Sequence, residues 1–349
     1  MKRLLSLFAA SLGVVASGAT DVVTLTGRAM GTAWTVKFQA PAHGLDPEGL
    51  RARIAARLEA LEQQLSTWRP SSDLSRFNTT AHTAWFSAPP ELIAVAAASL
   101  RVAALTGGAF DPTVAPLVRL WGFGAEGSIE SVPSPEAVAF AQARVDWRTL
   151  EVEASPPALR RTRPGITVDF SSTAKGFAAD AVSALLATED LPRHLVQIGG
   201  DVRTGAAPDG RSGWPVAIEQ PLDEGRGIAC VVPLAGLAVS TSGDYRNFFR
   251  AGAQRHGHII DPRTGRPVQG DLASVTVVHP SAAVSSSLAT GLFVLGLEAG
   301  RRLAEREGLA CLFLVRDGGG FTSLPTAEFE KLRPSSPPVA PRAGAPRRP

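Results

Sequence analysis

The sequence predicts an α+β fold, and three observations lead there. Long runs with helical spacing crowd the first half of the 349-residue chain. Period-two runs rich in β-branched residues crowd the second half. The texture changes near residue 165, where "GITVDFSSTAKGFAAD" interrupts the pattern with a polar turn. Helices and strands that segregate along a chain favour α+β over alternating α/β units.

Each element follows from local chemistry. "VVTLTGRAMGTAWTVKFQA" alternates like a strand pair broken by a glycine. "LDPEGLRARIAARLEALEQQLSTW" reads as a helix. Asp46 suits its cap and Pro47 its first turn, while Leu50, Ile54, Leu58, Leu61 and Leu65 form one face. "PPELIAVAAASLRVAALTGGAFDPTV" gives a second helix stopped at Gly107-Gly108, and "SPEAVAFAQARV" a third capped by Ser134. Next comes a strand ending at Asp169, a turn carrying Ser171, Ser172 and Thr173, and a helix starting near Lys175-Gly176. "HLVQIGGDV", "WPVAIEQ", "GIACVVPLAGLAVSTSG" and "LASVTVVHP" read as strands. A helix from Ser285 and the strand "ACLFLVRD" finish the fold. No repeat and no linker interrupts residues 25–330.

An apolar content of 44% suffices for one large domain or two modest ones. The net charge is only +3, although the pI is 9.2. Nucleic-acid binding needs a concentrated basic face, so no nucleic-acid partner is expected. Much of the basic excess lies in the Pro/Arg-rich residues 333–349, which are predicted to be disordered. Residues 1–19 carry Lys2 and Arg3, then an apolar run, then small residues. That is the layout of a secretory signal peptide cut after Ala19, leaving a single domain over 20–332. The run holds no cysteine for a lipid anchor, and no later stretch reads as a membrane span. An exported protein without stable membrane insertion is expected. Cys230 and Cys311 sit in strand-like runs, either as buried free thiols or as one disulfide.

Three polar turns are candidate sites, because backbone amides and short side chains can reach a ligand there. In "VDFSSTAKGFAAD", small residues admit a ligand and Lys175 adds charge near a helix start, which favours an anion such as phosphate. A capped helix with a surface lysine is the plainer alternative. "VSTSGDYRNFF" places Ser240 to Asp244 in a polar turn ending a strand, followed by Arg246. "HGHIIDPRTGRPV" sets His258 before an Ile-Ile pair and a Pro/Gly turn. A rival uses the same residues: Ser172-x-x-Lys175, Ser242 and Arg263 echo the three motifs of S-x-x-K serine hydrolases. Its second and third motifs are only about 20 residues apart, too close for that architecture.

Taken together, "AMGTAWTV", "SDLSRFN", "TGGAFDPTVAPLVRLWGFG", "DFSSTAKGFAAD", "LVQIGGDVRTG", "STSGDYRNFF", "GHIIDPRTGRPV" and "SLATGLFVLG" resemble the ApbE family of FAD:protein FMN transferases. Eight weak matches in order from about residue 28 to 296 form a specific signal. The resemblance implies a T-fold-like α+β architecture and a periplasmic enzyme. FAD would be the donor, magnesium would bridge protein and pyrophosphate, and a Thr or Ser of a target flavoprotein would accept FMN. It assigns Met30, Ala109, Phe110, Asp111, Asp169, Lys175 and Ile260 to the cofactor. His258 becomes the candidate for helping the incoming hydroxyl lose its proton. Ser172 supplies a metal-binding backbone carbonyl, with Ser286 and Thr290 at the remaining metal positions.

One departure falls on the metal. The family usually reads D-A-L-A-T, with acid and threonine one helical turn apart. This chain reads Ser286-Ser287-Leu288-Ala289-Thr290. Magnesium prefers hard oxygens with one or two carboxylates, and a neutral hydroxyl is a poorer ligand. Three outcomes are open: weaker metal binding, another carboxylate such as Asp180 or Asp244 at the site, or an FAD-binding or FAD-hydrolysing paralogue without transfer.

Overall fold

Most of the period-two runs join one sheet. The computed structural model describes residues 22–41, 44–124, 131–252 and 254–333. Eight strands pair in chain order: β1 (Val22–Ala29), β2 (Thr32–Gln39), β3 (His194–Ile198), β4 (Asp201–Thr204), β5 (Ala238–Gly243), β6 (Leu272–His279), β7 (Ala310–Asp317) and β8 (Gly320–Pro325). Every neighbouring pair is antiparallel. The helical half of the sequence is thus an insertion between β2 and β3.

Three long helices pack against the sheet, α1 (Pro47–Leu65), α3 (Ser171–Thr188) and α4 (Ala282–Arg306), and α2 (Pro90–Leu105) packs on all three. The predicted stripe of α1 is wholly buried, and Asp46 caps it by accepting from the Gly49 amide at 3.0 Å. Each such leucine contributes roughly 1.5–3 kcal/mol through burial. Ser134 caps its short helix as predicted, accepting from the Ala137 amide. The alternation within strands sorts side chains between two cores. Val275, Val277, Cys311 and Phe313 pack with Leu288 and Leu292 of α4. Val278, Leu312 and Leu314 pack instead under the hairpin Trp214–Gln220/Gly227–Leu234. Cys230 joins that second core, and both cysteines are free thiols. Burial pushes the Cys311 thiol up to about 12.

Several boundaries differ from expectation. Helix α3 starts at Ser171 rather than near Lys175, because Asp169 accepts from both the amide and the hydroxyl of Ser171. Residues 166–170, expected to form a strand, join no sheet. The Asn78 side chain takes both backbone groups of Val168 at 2.8 Å, and the Asp169 amide donates to Pro112 O. Helix α4 starts at Ala282, capped by Ser281, so Ser285, Ser286 and Ser287 lie inside it and are buried. Ser240, Thr241 and Ser242 belong to β5 rather than to a turn. "GIACVVPLAGLAVSTSG" and "HLVQIGGDV" each split into two strands around a glycine of positive φ, at Gly236 and Gly199. Contrary to the sequence expectation, α4 is long and apolar enough to cross a membrane by length and composition. Here it is the central core helix, interrupted at Gly296 (φ 79°), and a helix covered on several sides is apolar nearly all round. The signal segment and, apart from Arg333, the predicted tail lie outside the described residues.

Helices α3 and α4 meet at a point with no spare room. A methyl group on Gly176 would overlap the Ala282 carbonyl and come within 2.8 Å of the Ala283 nitrogen. One turn further along α3, Asp180 accepts from the Ala282 amide (2.9 Å), the Ala283 amide (3.1 Å) and the Ser281 hydroxyl (2.8 Å). A helix glycine usually gains stability when changed to alanine. Here Gly176→Ala should lose about 1–3 kcal/mol through overpacking, and Asp180→Ala about 0.5–2 kcal/mol through the lost cap. Urea unfolding measures both, and an unchanged Gly176→Ala midpoint would refute this packing.

Candidate active site

Separate segments converge on one cleft beside α4. Of the residues assigned from sequence, Ala109, Phe110, Asp111, Asp169, Ser172, His258, Ile260 and Thr290 all line it. They come from the loop after α2, the start of α3, the strand-turn unit before Asp261 and the middle of α4. Met30, Lys175 and Ser286 lie outside this lining, each for a different reason.

His258 is held from its own loop. Its amide donates to Asn247 O at 3.0 Å, and its Nδ1 lies 3.2 Å from the same carbonyl. A carbonyl can only accept, so Nδ1 carries the proton and Nε2 keeps its lone pair. The Phe123 ring stands edge-on to the imidazole, 6.3 Å away between centroids. Burial holds the imidazole below its ordinary value of 6.5; the hydrogen bond to Asn247 pulls weakly upward and the Lys175 charge pushes further down. The group is therefore a neutral base at neutral pH. Asn247, which sets this tautomer, was not singled out in the sequence; a polar residue eleven positions upstream carries no local signal.

The acids play distinct parts. Asp111 is buried and fully engaged: Oδ1 accepts from the Thr113 amide and hydroxyl, and Oδ2 from the Trp147 amide at 3.0 Å. Burial raises its pKa, opposed by those donors. It fixes the shape of the wall that Ala109 and Phe110 belong to. Asp169 faces the cleft while capping α3.

Met30 sits at the tip of the β1–β2 hairpin. The Ala29–Thr32 pairing leaves a two-residue turn, Met30 at φ 52° and Gly31 at φ 71°. Such turns favour Asn-Gly, so a methionine in the left-handed region is strained. Its amide donates to Glu62 at 2.9 Å, which holds the tip against α1. Lys175 reaches across to the Gly199 turn, and its charge acts on both His258 and Asp201.

The opening turns of α4 are an array of hydroxyls aimed at neighbours. Ser285 pairs with Ser240 of β5 at 2.8 Å. Ser287 pairs with Thr173 of α3 at 2.8 Å, and Thr173 with Ser99 of α2 at 2.8 Å. Thr290 lies 3.0 Å from Ser242 and donates to Ser286 O. Ser286 donates to Asp201 Oδ2 at 3.2 Å. Neither carboxylate weighed from the sequence stands there. Asp180 caps α4, and Asp244 is bound to Arg316 at 2.5 Å. Asp201 was missed because it was read as part of one continuous strand. An acid following the Gly-Gly turn in an apolar run was the available signal. The hydrolase echo dissolves as well: Ser242 faces Thr290, and Arg263 is pinned to Asp261.

The imidazole assignment is testable by NMR titration. The His258 ring resonances should move with a midpoint below 6.5. Because the folded value is depressed, His258 is neutral and fully compatible with the fold above the unfolded value. Its contribution to stability is lost as pH falls from 6.5 through the folded value. A midpoint above 6.5 would contradict the neutral ring.

Comparison with known proteins agrees with this geometry. A profile described as the ApbE family matches residues 30–313. An FAD:protein FMN transferase of Klebsiella pneumoniae is 38% identical over 320 residues, covering 90% of each chain. That of Haemophilus influenzae is 37% identical over 328 residues, covering 90% of this chain and 92% of its own. The solved flavin transferase ApbE from Vibrio cholerae superposes with a TM-score of 0.82 at 34% identity, covering 90% of this chain and 99% of that one. The apo flavinyl transferase of Pseudomonas stutzeri gives 0.80 at 38% identity, covering 89% and 96%. The hairpin tip, the cleft and the hydroxyl array all lie within the matched span, and the chain is a transferase belonging to the ApbE family.

Proposed function

We propose that this protein is an FAD:protein FMN transferase acting in the periplasm on a Thr or Ser of a target flavoprotein. The observation that carries the reading is the convergence in one cleft of a neutral, oriented imidazole with the start of α3 and the middle of α4. The relatives' names supply the donor and the transferred group.

The acceptor hydroxyl approaches His258 Nε2, which takes its proton as the oxygen bonds to the FMN-side phosphorus. The phosphorus–oxygen bond to AMP breaks on the opposite side. AMP leaves as a phosphate anion and needs no proton at neutral pH. The product joins FMN to the acceptor by a phosphoester. Positioning and charge neutralisation dominate such transfers. Lys175 contributes positive charge beside the site. The Ala109–Phe110 wall offers an apolar face to a flat ring system.

The hard-oxygen donors present fit magnesium: the Thr290 hydroxyl, the Ser172 carbonyl and a carboxylate beside Ser286. Bound there, the ion would neutralise the developing charge on the pyrophosphate oxygens. Among the described residues no group of three His, Cys, Asp or Glu side chains could hold a metal alone, so substrate oxygens and water would complete the shell.

Export is proposed from the basic, apolar, then small-residue order of residues 1–19. Sequencing the N-terminus of protein recovered from a periplasmic extract should begin after Ala19. An intact Met1 would refute it.

Incubation with FAD, magnesium and a D-x-x-[ST]-[AG]-T acceptor peptide should yield a covalently fluorescent peptide and one AMP per flavin. His258→Asn should lower turnover by roughly 10²–10⁴-fold while FAD still binds. FAD bound without any product at any magnesium level would instead support a binding paralogue. AMP release without labelled peptide would support a hydrolase.

A further inference from the structure

The array on α4 leaves one carboxylate without an assigned task. Asp201 opens β4 directly after the Gly199-Gly200 turn and is 5% exposed. Its hydrogen-bond donor is the hydroxyl of Ser286, at 3.2 Å. The cationic influence on it is Lys175, which serves His258 as well. A buried acid hydrogen-bonded by a neutral hydroxyl, with Lys175 acting through its charge but not in a direct hydrogen bond, is poorly compensated, since burying a carboxylate costs several kcal/mol unless a cation meets it. Asp180 carries three donors from the α4 terminus, and Asp244 carries Arg316. Asp201 has no comparable commitment.

Position 286 and position 201 share one small space. Ser286 and Thr290 sit one turn apart on α4, and Thr290 donates back to Ser286 O. An aspartate at 286 would push its carboxylate into the Asp201 carboxylate. Only one of the two positions can carry the acid without a cation between them.

We infer that Asp201 supplies the carboxylate for this chain's divalent cation, delivered from β4 to the space beside Ser286 and acting together with Thr290. The acid that the family carries on the helix is here carried by the facing strand. Ser286 then serves as a positioning residue, orienting Asp201 through its hydroxyl rather than ligating the ion. This inference rests on the flavin-transfer reading, which supplies the pyrophosphate that shares the ion.

The test uses Mn²⁺ as the probe, with its free concentration read by EPR, on the full chain with FAD present. Gel filtration followed by visible absorbance reports FAD retention separately. Wild type should bind Mn²⁺, Asp201→Asn should bind it at least about tenfold more weakly, and the exchange Asp201→Ser with Ser286→Asp should recover most of the affinity. Equal Mn²⁺ affinity for Asp201→Asn and wild type would overturn the inference. Failure of wild type to retain FAD would instead strike the functional reading beneath it. Should Asp201→Asn not fold, Ser286→Asp alone decides. With two carboxylates face to face it should melt below wild type without metal and gain more than wild type does from Mn²⁺. A Ser286→Asp melting temperature indifferent to Mn²⁺ would overturn the inference.

Discussion

The contact of Gly176 with the first turn of α4 governs the rest of the molecule. Without a side chain at 176, α3 lies against the main chain of Ala282 and Ala283. Asp180 then satisfies the amides that a helix start leaves open. Steric contact sets the distance between the helices, and the cap sets where α4 begins. Once both are fixed, Ser285, Ser286, Ser287 and Thr290 can face only β5, β4, α3 and the cleft. A helix start one residue later would turn each hydroxyl by roughly 100° and break every pair.

This accounts for a hydroxyl-rich helix in the centre of the core. Serines are indifferent helix formers, and buried hydroxyls are costly unless paired. Along α4 the cost is offset by hydroxyl pairs, Ser285 with Ser240, Ser287 with Thr173 and Thr290 with Ser242, and by bonds back to carbonyls of the preceding turn. Such pairs tie α2, α3, α4 and β5 together through short side chains that leave room for a ligand at the cleft. The same helix face thus joins the sheet to the site. The carboxylate of Asp201 belongs to this array through Ser286.

The cleft itself is assembled by loops that the sheet and helices hold rigid. Asp111 spends both oxygens on Thr113 and Trp147, which freezes the Ala109–Phe110 wall. Asn247 spends its carbonyl on His258, which selects the tautomer. In both cases a polar group that touches no reacting atom fixes one that lines the cleft. The strain at Met30 is sustained in the same way, by the Glu62 carboxylate on α1 and by a register that permits only a two-residue turn.

The sequence by itself determined what depends on short-range periodicity and on local motif chemistry. The buried stripe of α1, its Asp46 cap, the Ser134 cap and the α+β class all follow from spacing and from side chains within one turn of each other. Ala109 to Asp111, Asp169, Ser172, His258, Ile260 and Thr290, which line the cleft, were picked out through the resemblance of their short motifs to the ApbE family. Only the tertiary structure decided where α3 and α4 begin, since Asp169 and Asp180 act across a break in helical pattern or between elements. It alone decided which acid meets Ser286. Asp201 lies 85 residues away in the chain, and no local spacing encodes a partner brought in by strand pairing. Local chemistry writes itself into neighbouring letters; a charge delivered across a fold is fixed only once the helices and the sheet have packed.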